Sequence, residues 1–479
     1  RYIAVTGVQT CALPISDRQS YPETGLYRDV EQFAEEIRRA PHIDAVVMNG
    51  IGGSALGPQL MQLAMKGPYW NEQSAEARNG YPRIYFLDNT DPAGVRDVCR
   101  AVDLKKTIVV SVSKSGGTQE TRNNLLALEK LYDDAGIPFA PRAVAVTMAD
   151  STLDERARDA GWRKRFHMPE SIGGRTSVTH VVGHVPAALA GIGFASFLDG
   201  ATRMDEWTRA PELVDNPAYQ LAAAWYAAGN GTGERNMVVV PYADRLVLFA
   251  RYLQQLVMES LGKEQDRDGN VVHQGLTVYG NKGGTDAHAY IQQLQEGKDD
   301  FFLTFVEILK DAAQFPAEGG LTMGDYLHAF KEGLRAALQS KGRPSIDIVI
   351  DELNESSLGM LIALFERAVA VYAELVHINA FNQPGVEAYK SASQEVNTIN
   401  VRLQSWLRDP DRRPVKGTAH DITAQAGLDG HEADVQALLA KFAVNDRTFA
   451  GAAVTRTFSS GQWTYAVGRA DSQTADGTQ

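Results

Sequence analysis

From Ala45 onward, short apolar runs alternate with longer stretches of helical spacing. The runs are AVVMN (45–49), RIYFL (83–87), TIVVSVS (107–113) and AVAVT (143–147). Alternation of this kind predicts a parallel sheet covered by helices on both faces. In the helix predicted over 118–132, Leu125, Leu126, Leu128 and Leu131 have the spacing of a face packed on that sheet. Residues 17–205 are therefore read as a first doubly wound α/β domain. A second series follows Pro211 and Pro217, with buried strands expected at NMVVV (236–240), FFLTFVEIL (301–309) and IDIVI (346–350). Long helices are expected over Asp244–Leu261 and Ser356–His377, giving a second α/β domain over 206–404. Past Ser405 the character changes. RDPDRRP (408–414) is a charged, proline-broken linker, Glu432–Phe442 reads as a helix and RTFSSGQWTYAV (456–467) as a hairpin. This C-terminal extension, 405–479, is assigned a packing or lid role.

The length of 479 residues fits two domains with an appendage, since a single core stops growing well below that size. A formal charge of -12 argues against a nucleic-acid surface, which needs clustered Lys and Arg. Only Cys11 and Cys99 occur, too few for a disulfide framework, so a cytoplasmic location is expected. The longest apolar stretch, Val178–Leu198, contains His180, His184 and Pro186 and reads as a buried helix, not a membrane span. No signal peptide is evident. Val5–Ser16, VTGVQTCALPIS, looks like a translated sequencing adapter, so residues 1–16 are set aside as a foreign tail.

Two strand-to-helix turns carry the candidate chemistry. NGIGGSALGP (49–58) follows the first strand, and its glycines, Gly53 among them, let backbone approach a ligand while Ser54 offers a hydroxyl. It lacks the GxGxxG spacing and the P-loop lysine, which argues against a dinucleotide or nucleoside triphosphate. SVSKSGGTQET (111–121) sets Ser113, Ser115 and Thr118 at a helix N-terminus, with Lys114, Gly116 and Gly117 between them. Capping alone would need only Thr118; the full set makes a cradle for a phosphate monoester.

A serine-rich loop with TQET after a GIGGS turn resembles the sugar isomerase domains of phosphoglucose isomerases. GGRTS (173–177), QQLVMESLGK (254–263), GGTDAHAYIQQL (283–294) and NQPGVEAYK (382–390) match further signatures of that family in order. The resemblance implies two tandem doubly wound sugar isomerase domains in an αβα sandwich, and interconversion of glucose 6-phosphate and fructose 6-phosphate through an enediol. It implies Glu259 as the base that moves a proton between C2 and C1, and Arg175 as the cation facing the enediolate. His288 and Lys390 would open the sugar ring, and Gln255 and Gln383 would contact sugar or phosphate oxygens. No cofactor or metal is expected, and a homodimer with shared active sites is implied, the histidine entering the partner's site. His167, His180, His184 and His377 are left as hydrogen-bonded core residues. Alternatives are a dual glucose and mannose phosphate isomerase and a non-catalytic sugar-phosphate sensor; a sensor has no use for Glu259, Arg175, His288 and Lys390 together.

Overall fold

The computed structural model describes residues 15–412 and 415–469, which form two compact units, one ending at Asn382 and the other starting at Gln383. Most of the adapter-like segment, Cys11 included, lies outside the described residues; its last two residues open a short helix, Ile15–Ser20.

The first unit holds two parallel sheets. Strands β1 (Ala45–Asn49), β2 (Arg83–Leu87), β3 (Thr107–Val112), β4 (Ala143–Thr147) and β5 (Lys164–His167) run in the order β2-β1-β3-β4-β5. The apolar run of β1 serves two faces at once. Val46 and Met48 join a core with Leu60 and with Val30, Phe33 and Ile37 of helix Gly25–Arg39, whereas Val47 packs with Val95, Leu128 and Tyr132 on the other side. From β2 the chain crosses back past β1 to reach β3, so the connections after β1 and β3 leave side by side and open a crevice at the carboxyl ends of those strands. Buried Asn49 fixes that rim. Its amide donates to Thr121 O at 2.9 Å and Ser111 Oγ at 3.3 Å, and its carbonyl oxygen accepts from Asn124 Nδ2 at 3.2 Å.

The second sheet contains β6 (Asn236–Tyr242), β9 (Val278–Tyr279), β10 (Phe301–Ile308) and β11 (Ser345–Ile350) in the order β11-β10-β6-β9; a small antiparallel hairpin of β7 (Lys263–Gln265) and β8 (Val271–Gln274) lies beside them in sequence. Helices Phe194–Trp207 and Glu355–Leu375 cross closely because glycines sit at the contact. A Cβ on Gly200 would lie 1.9 Å from Ser356 O, and one on Gly359 2.0 Å from Phe197 O. Near that crossing the fully buried Arg18 donates to Asp205 Oδ2 at 2.7 Å and Glu366 Oε2 at 2.5 Å, so one cation closes two carboxylates from two helices.

The second unit starts with helix Pro384–Arg408, which runs across residue 405. It continues through β12 (Val415–Gly417), helices Ala419–Gln425 and Glu432–Val444, β13 (Thr448–Phe449) and the hairpin β14 (Ala452–Ser459) and β15 (Gln462–Arg469), with sheet order β12-β15-β14-β13. Its own core gathers Leu403, Leu407, Ile422, Val435, Leu439 and Val467.

Several sequence expectations need correction. In helix Gln119–Asp134, Leu125 and Leu128 are buried but Leu126 and Leu131 face solvent, because the face touching the sheet is narrower than the run of leucines. Residues 346–350 form an edge strand whose side chains are alternately half-buried and exposed, not a buried one. The stretch 178–198 is divided between a 3₁₀ turn, Gly174–Thr179, helix Val181–Leu189 and the start of Phe194–Trp207. The stretch 244–261 is not one α-helix. It is a 3₁₀ turn, a short helix Phe249–Leu253 and a π-helical turn Gln254–Glu259. His180 and His184 are buried, but His167 and His377 sit at the surface beside Asp154 and Asp268.

Candidate active site

The serine loop leaves β3 at the crevice. Buried Ser113 is held by its amide on Val146 O at 3.1 Å and donates its hydroxyl to Thr118 Oγ1 at 3.2 Å. Thr118 begins helix Gln119–Asp134 without spending its side chain on a cap. Gly116 has φ 74°, and a Cβ there would lie 2.4 Å from Leu153 N, so only glycine suits the turn. Ser115 and Gly117 are exposed, with the Gly117 amide donating to Ser115 Oγ at 3.2 Å. Lys114 donates its ammonium to Glu170 O at 2.7 Å, and so ties this loop to the segment that leads into GGRTS. Hydroxyls, a free-standing helix N-terminus and a neighbouring cation favour an anion at this place.

The second turn, Gly52–Ser54, is packed against GGRTS backbone to backbone. A Cβ on Gly53 would lie 1.8 Å from Gly174 O. Ser177 Oγ bridges the two segments, donating to Gly174 O at 2.7 Å and reaching Gly53 O at 3.2 Å. The amide of Gln255 lies over Gly52, where an added Cβ would meet its Nε2 at 3.0 Å. Thus the turn after β1, the arginine loop and the π-helical turn meet at one point.

Arg175, almost fully buried, stands with Nε 3.8 Å from Glu259 Oε2 and donates through Nη1 to Ser260 Oγ at 3.3 Å. Glu259 is the last residue of the π-helical turn and is mostly buried, so it is not the solvated charge that a glutamate on a helix ordinarily is. Below it, buried Lys263 donates to Glu259 O at 2.9 Å and Ser260 O at 2.7 Å. Burial, reinforced by the Arg175 charge and opposed by Glu259, pulls the Lys263 ammonium down to about 8. The Glu259 carboxylate thus lies 3.8 Å from the Arg175 guanidinium and within electrostatic reach of Lys263, and partial burial strengthens the interaction between these charges.

The structure brings together Gly53, Ser54, Gln255, Glu259 and Arg175, and sets the serine loop on the strand beside them. His288 is elsewhere, exposed at the end of the short turn Asp286–His288. Gln383 and Lys390 belong to the second unit, Gln383 preceding helix Pro384–Arg408 and Lys390 lying on an exposed part of it. Sequence reasoning passed over Asn49, Ser177, Ser260 and Lys263. Each lies in or beside a motif already singled out, but their work is to hold backbone or, for Ser260, the Arg175 side chain, which leaves no trace in residue type.

Two parallel sheets in tandem, with a phosphate-type loop at a topological switch point and a carboxylate paired to a buried arginine, define a protein of the sugar isomerase class. The family model for phosphoglucose isomerase matches residues 26–319 and 329–405. This chain is 46% identical over 431 residues to glucose-6-phosphate isomerase of Nostoc punctiforme, covering 87% of this chain and 79% of that protein. It is 50% identical over 390 residues to the enzyme of the same name from Geobacter sulfurreducens, covering 80% and 72%. The crystal structure of a glucose-6-phosphate isomerase from Chlamydia trachomatis superposes with a TM-score of 0.71 at 28% identity, over 83% of this chain and 77% of that one. The chain belongs to the phosphoglucose isomerase family. Among the described residues no helix is long and apolar enough to cross a membrane.

Two outcomes follow from this packing. Gly53→Ala is expected to cost about 1–3 kcal/mol through overpacking, read as a lower melting temperature. Gly174→Ala, whose Cβ would meet nothing within 4 Å, should be tolerated; equal melting of the two variants would contradict the contact. For Lys263 the sign is set by linkage. The unfolded chain keeps that proton to about 10.5 and the folded chain only to about 8, so between those values the unfolded state binds more protons and stability rises with pH. The melting temperature of wild type relative to Lys263→Met should therefore increase across that window, and a difference that is flat in pH would refute the depressed value.

Proposed function

We propose that this chain interconverts D-glucose 6-phosphate and D-fructose 6-phosphate by proton transfer alone. The observation that carries the proposal is the buried pairing of Glu259 with Arg175 beside the turn after β1. Moving the carbonyl from C1 to C2 requires removal of the C2 proton to give an enediolate, passage of the hydroxyl proton from O2 to O1, and return of a proton at C1. The Glu259 carboxylate takes the proton, becomes a carboxylic acid while the enediolate exists, and gives the proton back to the neighbouring carbon. Charge develops on the sugar oxygens as the proton leaves. Arg175, fixed by Ser260 and by burial, is a permanent cation for that charge and needs no reorganisation when it appears.

The phosphate is assigned to Ser113, Ser115 and Thr118 with the Gly116 and Gly117 backbone and the charge of Lys114. This remote anchor positions C2 and supplies binding energy to the chemical step. Gly53 and Ser54 line the sugar, with Gln255 and Gln383 on its oxygens. His288 and Lys390 open the pyranose, one giving a proton to the ring oxygen and the other taking one from the anomeric hydroxyl. The exposed position of His288 supports its use by a partner subunit, so a homodimer with shared sites belongs to this reading, as does a cytoplasmic place in sugar-phosphate metabolism.

In a coupled assay with fructose 6-phosphate, Glu259→Gln should lose about 10²–10⁴-fold in kcat while still binding substrate, and should no longer exchange the C2 proton with solvent. Retained exchange would remove Glu259 from the role; mannose 6-phosphate run alongside reports any tolerance at C2. Shared sites make a separate prediction. Glu259→Gln and His288→Ala, each inactive alone, should regain roughly a quarter of wild-type activity when unfolded and refolded together, because each hybrid dimer rebuilds one intact site. Hybrids without activity would place both residues in one subunit's site.

A further inference from the structure

The matched family region stops at residue 405, near the end of the first helix of the second unit, and the rest of that unit lies beyond it. Helix Pro384–Arg408, strand β12, helix Ala419–Gln425, a turn with Gly427 and Gly430 at positive φ, helix Glu432–Val444, then β14 and β15 as a protruding hairpin, form a winged helix-turn-helix. In nucleic-acid readers the first residues of the second helix meet the bases and basic side chains meet phosphate. Here that helix opens on Glu432 and Asp434 and has Lys441 as its one basic residue, which would repel a phosphate backbone.

What the module presents instead is a groove of about 310 Å³ between that helix and the hairpin. Its helix wall is low and apolar, made by the methyl groups of Ala433, Ala437 and Ala440, with Gln436 between them. The floor is Tyr465, whose hydroxyl donates to Gln436 O at 3.4 Å. On the hairpin wall the Arg456 guanidinium lies over the Trp463 ring, 4.5 Å from its centroid, and has no carboxylate partner among the described residues. Phe458, exposed at the hairpin end, packs its ring against Trp463 and extends the apolar wall. A preorganised Trp with an Arg stacked on it is the kind of anchor that dominates protein interfaces, and the stacked guanidinium keeps its donors free for an acid.

We propose that this groove is a docking site for a peptide segment of another protein, one carrying a carboxylate next to a large apolar side chain. The apolar side chain lies on the alanine wall against Trp463, and the carboxylate meets Arg456. None of the residues that line it is assigned to the isomerase reaction.

The test is selection of displayed random peptides about a dozen residues long on the full chain, with counter-selection on Ala437→Glu, followed by fluorescence anisotropy with the enriched peptide. Enriched sequences should place Asp or Glu beside Leu, Phe or Trp. The labelled peptide should bind Ala437→Glu and Arg456→Glu at least about tenfold more weakly than wild type, with melting temperature and isomerase turnover of both variants unchanged. The proposal is overturned by an absence of enrichment, by enriched peptides without an acid, or by binding that both variants retain. It is equally overturned if the two variants abolish duplex-DNA binding by the wild type, or if they dissociate a wild-type oligomer in sedimentation, which would give the groove to nucleic acid or to a second copy.

Discussion

Gly53 and Gly174 approach so closely that neither segment can move without the other. One belongs to the turn that ends the first strand, the other to the loop that delivers Arg175. Every remaining feature of the centre is hung on that contact. Ser177 locks it with a hydroxyl, Gln255 lies across the adjoining glycine, and Arg175 reaches from it to Glu259 and Ser260. A side chain as small as alanine at residue 53 would push the turn after β1 away from the loop that carries Arg175. Interiors packed to this density transmit such a displacement and do not absorb it.

The electrostatics follow from the same closeness. Burying Arg175 and Lys263 together is unfavourable unless an anion is shared, and Glu259 with the carbonyls at the end of its turn answers both. The π-helical turn has a place in this. Glu259 closes that turn, and the carbonyls of Glu259 and Ser260, in the last turn before the helix ends, receive the Lys263 ammonium; π-helical turns are found mostly at functional positions. Away from the centre, Arg18 uses the opposite arithmetic, one cation with the two carboxylates Asp205 and Glu366. It fastens a short N-terminal helix to the crossing of two long ones. Burial still pushes the Glu366 carboxyl up to about 7, because Arg18 only partly offsets the loss of water and Asp205 adds a like charge.

The second unit obeys a different logic. It has its own apolar core and an antiparallel sheet, and its exposed groove combines small helix residues with aromatic and guanidinium groups from a hairpin. By sequence this unit past Ser405 reads as a linker, a helix and a hairpin. Their sum as a winged helix was not visible because β12 and helix Ala419–Gln425 are too short to give a periodic signal.

Through the resemblance of their motifs to a family, the sequence singled out Arg175, Gln255 and Glu259; by itself it determined the alternation of buried strands and covering helices and the glycine turns at 49–54 and 113–118. Those depend on local pattern and on side-chain chemistry, both of which are written in residue type. Only the tertiary structure decided that 244–261 breaks into three kinds of helix, that 345–350 is an edge strand, that Leu126 and Leu131 face water, and that Lys263 lies under Glu259. It also decided which glycines touch which backbone. Each of these is set by what a segment meets from a distant part of the chain, and a linear pattern carries no record of its neighbours in space.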